Sequence, residues 1–172
     1  MSHDLDESTG KPAMAYVGER PWHGLGEALP PDQDIETWVK AARLDWGIEM
    51  LPVNYQMGGR NHVMRDRFVL ARSDTQAALS VVSGDYRVVQ PKEVLEFYRD
   101  LVEERQYQLE TAGALDGGRK VWALARTGLV AGVAGNPADE LGAYVLLATS
   151  CDKTLATTIT FTSVRVVCQN TL

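Results

Sequence analysis

Cysteine is nearly absent: Cys151 and Cys168 are the only two in 172 residues. They form no Cys-x-x-Cys pair, which argues against a secreted disulfide framework and against a structural zinc site. His3, His23 and His62 lie far apart along the chain, so no metal and no cofactor is expected. Long apolar runs are missing too, and a membrane span requires about 18 to 20 apolar residues. The first residues, Met1 to Glu7, are polar and acidic, the reverse of a signal peptide's basic start and apolar stretch. These absences point to a cytoplasmic protein with no membrane partner. An excess of positive charge is also lacking. Seventeen Lys and Arg stand against twenty-three Asp and Glu, a net charge of −6. Residues 1–52 account for all of it, with four basic groups against ten acidic ones, while 53–172 carry thirteen of each. A strongly basic nucleic-acid binder is therefore excluded, but a local arginine-rich face is not.

What is present reads as one α+β domain. Residues 1–12 are polar and contain Gly10 and Pro12, the composition of a flexible tail, and 13–172 form the domain. Tyr16 to Gly26, with Pro21 and three glycines, reads as an ordered loop. Asp34 is placed to cap a helix near 35–44 whose Ile35, Trp38, Val39 and Ala42 share a face. Strands follow over about 46–56, 67–72, 78–82 and 86–90, the first two joined at Gly58-Gly59. Pro91 opens the principal helix, about 91–105, with Val94, Leu95, Tyr98, Leu101 and Val102 on one face and acidic residues on the other. Further strands are expected at 107–115, 120–127, 144–150 and 154–168, with a Gly- and Ala-rich loop over 128–142. The fold class is thus a mainly antiparallel sheet with one principal helix packed on it and a shorter helix near 35–44.

Six stretches carry a family signature: Ala15 to Gly18, Pro21 to Gly26, Tyr86 to Phe97, Glu110 to Leu115, Gly118 to Arg126 and Val164 to Leu172. Together, and in this order, they resemble the N-terminal part of phage/plasmid-like proteins assigned to domain of unknown function 932. The resemblance implies a helical C-terminal half beyond Asn170-Thr171-Leu172, which this sequence does not include. The order of strand, helix, hairpin and long strand also resembles single-strand annealing proteins, which hold DNA in a basic groove of an oligomer. That resemblance implies an analogy of fold.

No catalytic arrangement stands out, and no enzymatic activity is expected. His23 has no Asp, Ser or Cys nearby to complete a relay. Trp22, His23, Gly24 and Gly26 are read as a structural motif, with His23 capping a glycine turn. Gly24-Leu25-Gly26 follows no strand and opens no helix, so it is not a dinucleotide fingerprint. Glu93, Glu96, Asp100, Glu103 and Glu104 share the helix's polar face with Lys92, Arg99 and Arg105, the pattern of a solvated surface. The basic residues carry more. Arg60, Arg65, Arg67 and Arg72 surround the first hairpin together with His62; Arg119, Lys120 and Arg126 flank the second; Arg165 projects from the last strand. Guanidinium groups grip phosphates, and Tyr55, Phe68, Tyr107 and Trp122 are interleaved for stacking. Arg65, Arg67, Arg119, Lys120, Arg126 and Arg165 are accordingly the candidate nucleic-acid contacts. The functional expectation is a non-enzymatic module that binds or anneals single-stranded DNA and self-associates. A protein-interaction or host-interference module without a nucleic-acid role is the alternative.

Overall fold

The computed structural model describes residues 4–21, 23–105, 107–133 and 136–165. Nine strands and three short helices alternate through them: β1 (Met14–Val17), β2 (Glu27–Leu29), α1 (Ile35–Ala41), β3 (Ile48–Met57), β4 (Arg60–Arg72), β5 (Ala78–Ser83), α2 (Pro91–Glu96), α3 (Arg99–Arg105), β6 (Gln108–Leu115), β7 (Lys120–Val133), β8 (Asn136–Ser150) and β9 (Thr158–Arg165). The six-stranded sheet has the order β2-β1-β6-β7-β8-β9, and β3-β4-β5 form a second, smaller sheet. Only β1 and β2 pair in parallel. The fold is α+β and mainly antiparallel.

The helices cover one face of the large sheet. Asp34 caps α1 by accepting a hydrogen bond from the Thr37 amide at 2.7 Å. The helix stops at Ala41 rather than near 44, because Arg43 turns into the left-handed region at φ 55°. The principal helix is two helices, α2 and α3, broken at Phe97 and Tyr98. Its apolar face is used as expected: Val94, Leu95 and Tyr98 are buried, and Leu101 and Val102 pack half-buried against the same core. At the break, the Tyr98 hydroxyl reaches the carbonyl oxygens of Ala123 on β7 and Val145 on β8, at 2.8 and 2.9 Å. Burial holds this phenol protonated, well above the usual tyrosine range. A second core joins the sheets: Trp46, Ile48, Leu70, Leu79 and Val82 of the small-sheet region meet Cys151 beyond β8.

Four expectations are corrected. The segment 86–90 makes no strand. The Gln90 side-chain amide instead accepts from the Ile48 N–H at 2.8 Å and donates to its carbonyl at 3.1 Å, doing for β3 what a neighbouring strand would do. Of the loop expected over 128–142, the described residues 128–133 and 136–142 instead extend β7 and β8, reached through a register shift between Arg126 and Val130 with Gly128 at φ 76°. Cross-strand pairing there outweighs the weak strand preference of Gly and Ala. The strand expected from 154 begins at Thr158, because Asp152 accepts hydrogen bonds from the Thr154 amide and hydroxyl and holds a turn; residues 166–168 lie outside the described residues. The loop read from Tyr16 to Gly26 is flanked by β1 and β2, which the glycines and prolines hid.

The N-terminal segment is tied down from Asp4 onward. Leu5 bridges Leu115, the Asp6 amide donates to the Ala114 carbonyl at 2.9 Å, and the Asp116 amide donates to the Asp4 carbonyl at 3.0 Å. Replacing Tyr98 with Phe removes the hydroxyl that anchors the helix pair to β7 and β8. We expect it to cost about 1 kcal/mol or more, because buried carbonyls lose a donor. Urea unfolding monitored by circular dichroism measures that loss, and an unchanged midpoint would contradict the anchoring role.

Candidate nucleic-acid interface

The β3–β4 hairpin extends beyond the small sheet's core as a two-stranded arm. A register shift marks where the arm begins: Pro52 pairs with Phe68, but Val53 pairs with Met64. Arg65, Asp66 and Arg67 have no partner on β3 between those pairs, and Arg67 pairs with Ser83 on β5. Beyond the shift the strands run in register to the Gly58-Gly59 turn, with Tyr55 opposite His62 and Met57 opposite Arg60. Alternation puts Val53, Tyr55, Met57, Arg60, His62 and Met64 on one face and Asn54, Gln56, Asn61 and Val63 on the other.

The first face is apolar, aromatic and basic at once. The Tyr55 and His62 rings stack with centroids 5.1 Å apart and planes inclined by 20°. Met57 is 67% exposed, and Tyr55 and Met64 are also exposed. Residues 53–67 hold three arginines and one aspartate, a net +2 in a chain of −6. Arg67 donates to the Asp66 carbonyl at 2.9 Å and lies 3.3 Å from its carboxylate, both side chains being largely exposed.

The structure disperses the six candidate contacts. Arg65 and Arg67 sit at the register shift, so the regular alternation that would align residues two apart does not apply to them. Arg119 donates from Nε to the Leu79 carbonyl on the free edge of β5 at 3.0 Å. Lys120 is paired with Asp116 at 2.6 Å. Arg126 is exposed on β7, opposite Gln108 and Tyr144, on the large sheet and away from the arm. Arg165 stands opposite Leu141 on β9, and its side chain is outside what the structure describes. Arg60, His62 and Tyr55 complete the arm. Their alternation across a Gly-Gly turn was the readable signal, obscured because the first hairpin's strand was expected to begin only at 67.

Arg72 departs furthest from expectation. It is buried, not a surface cation, and terminates β4 at the root of the arm. Its guanidinium contacts the Asp6 carboxylate, pairs with Asp74 at 2.8 Å, donates to the Gly117 carbonyl at 3.1 Å and stacks 4.0 Å above the Trp46 ring. Gly118, at φ 91°, closes the cluster: a Cβ there would stand 2.7 Å from Arg72 Nη1 and 2.9 Å from the Trp46 ring.

Local hydrogen bonds hold the glycine motif near the N-terminus in its described part. His23 Nδ1 accepts from the Leu25 amide at 3.1 Å, and Arg20 donates to the Gly24 carbonyl at 2.6 Å. Gly26, at φ 100°, passes so near Met14 that a Cβ would meet its carbonyl at 3.1 Å. Trp22 lies outside the described residues. Of the interleaved aromatics, Phe68 and Tyr107 pack half-buried on the two cores, and Trp122 donates to Thr111 Oγ1 at 3.1 Å. Burial pushes the Cys151 thiol up to about 11, so it is protonated at neutral pH. Among the described residues no three His, Cys, Asp or Glu side chains gather to hold a metal ion. No described helix is long and apolar enough to cross a membrane.

The fold and the arm define an α+β protein that carries a basic, partly aromatic hairpin. By family it belongs to the Domain of unknown function (DUF932), whose model matches residues 78–172, from β5 onward. The arm precedes the matched stretch. No curated protein and no solved structure matches the chain.

The Arg72 cluster sets an acid response. Burial alone would raise the Asp6 pKa, but hydrogen bonds from Ser8 and Arg72 outweigh it and hold the carboxyl below its usual 3.8. The Arg72 hydrogen bond likewise lowers Asp74. Both carboxylates therefore stabilise the fold fully above the ordinary carboxylate range and lose that contribution as pH falls through their depressed values. Urea midpoints should fall steeply below about pH 4. Asp6→Ala should cost about 3–5 kcal/mol at neutral pH, since it leaves Arg72 buried with one partner fewer. A flat acid profile would refute the assignment.

Proposed function

We propose that this protein is a non-enzymatic module that binds single-stranded nucleic acid through the β3–β4 arm. The observation that carries this reading is the arm's concentration of positive charge beside a stacked pair, exposed Tyr55 on half-buried His62, within an acidic chain. Arginines hold phosphates, and aromatic faces accept unpaired bases with little regard to sequence. A duplex offers its bases only at groove edges, so the exposed Tyr55 ring favours a single strand. Apolar Met57, Val63 and Met64 on the same arm support a second reading, a contact surface for another protein.

Fluorescence anisotropy with a labelled oligothymidine tests the first reading. Affinity should fall with rising salt at a slope of about −0.7 per phosphate contact. Replacing Arg60, Arg65 and Arg67 together with Ala should flatten that slope, and Tyr55→Ala should weaken binding by about 1–3 kcal/mol with little change in slope. Absence of salt-dependent binding would pass the arm to the protein-contact reading.

A further inference from the structure

We infer that β9 is a dimerisation edge, and that its partner is β9 of a second copy of this chain, paired antiparallel about a two-fold axis. A strand at a sheet edge presents unpaired N–H and C=O groups, and proteins normally block such edges with charge, proline, bulges or covering side chains. Three of the four edges here are blocked. The edge of β2 is three residues long and is followed by Pro30-Pro31. Along β3, Pro52 and the register shift interrupt the ladder, and Gln90 occupies both backbone groups of Ile48. On β5, Arg119 and Lys153 donate to the Leu79 and Val81 carbonyls at 3.0 and 3.1 Å.

The fourth edge carries no proline, bulge or covering side chain among the described residues. From Thr158 to Val164 the strand reads Thr-Ile-Thr-Phe-Thr-Ser-Val, and its one charge is Arg165 at the end. It pairs with β8 from Leu141↔Arg165 to Ala148↔Thr158 without a register shift. Phe161 is 74% exposed and Ile159 51%, both on the sheet face that the helices cover nearer its centre.

Charge decides the occupant. A strand whose one charge, Arg165, stands at its end offers little to an acidic or basic peptide. Paired antiparallel with its own copy, it keeps the two Arg165 residues at opposite ends of the seam. Antiparallel pairing centred on Phe161 sets the two Phe161 rings side by side, Ile159 opposite Ser163 of the other copy, and Arg165 opposite Thr157 of the other copy. A parallel arrangement would instead stack Arg165 on itself. The two large sheets then become one, with the arms carried outward. This inference is independent of the nucleic-acid reading.

Sedimentation velocity on the full chain, without nucleic acid, tests it. The mass should rise with concentration from 18.9 kDa towards twice that value. Phe161→Lys and Ile159→Lys should each return the protein to monomer, with thermal unfolding that matches the wild type at concentrations where the wild type is itself monomeric, since both side chains are exposed in the single chain. Replacing Arg60, Arg65 and Arg67 with Ala should leave dimerisation intact. Hydrogen exchange on the wild-type chain supplies a readout independent of the variants, in which amides of 158–165 gain protection as concentration rises. A monomer at every concentration overturns the inference. So does a dimer that survives both lysine variants, or concentration-dependent protection confined to other strands.

Discussion

The buried guanidinium of Arg72 is the interaction on which the arrangement of this protein turns. An isolated charge at that depth would cost several kcal/mol, and only matched partners repay it. Here the partners come from four separate places in the chain. Asp6 arrives from the N-terminal segment, Asp74 from the turn after β4, Trp46 from before β3, and the Gly117 carbonyl from the turn between β6 and β7. One side chain thereby joins the small sheet to the large one and fastens the N-terminus across both. Gly118 belongs to the same constraint, since any side chain there would displace the ring or the guanidinium.

Unsatisfied backbone is the second constraint. Polar side chains repeatedly take the place of a missing strand at the small sheet's edges: the Gln90 amide on Ile48, Arg119 on Leu79 and Lys153 on Val81. Several of the cations that attract attention in the sequence are consumed in this way. The arm is where arginines stand together in an exposed strand pair, and β9 is where an edge stands open. The two features belong to different sheets.

Much of the fold was legible in one dimension. The apolar spacing of Ile35 and Trp38, and of Val94, Leu95 and Tyr98, reports helices on a sheet, because burial of one helical face depends on spacing alone. Gly58-Gly59 marks the arm's turn for an equally local reason, both residues taking positive φ. The site was legible only in part. Arg65 and Arg67 are local to the arm, but the register shift beside them is a property of how β3 meets β4 and cannot be read from either strand alone.

The sequence by itself determined the fold class, the capped start of α1, the apolar faces and the hairpin turns, since each rests on the chemistry of residues a few positions apart. Tertiary structure alone decided which cations are surface groups and which are structural ones. Arg60 and Arg72 read alike in the chain. One ends on an exposed arm and the other is 2% exposed between two carboxylates and an indole, because burial of a charge is settled by partners sixty-six residues away in sequence. Which edge remains open was decided there too: a strand is an edge only by virtue of what fails to pair with it.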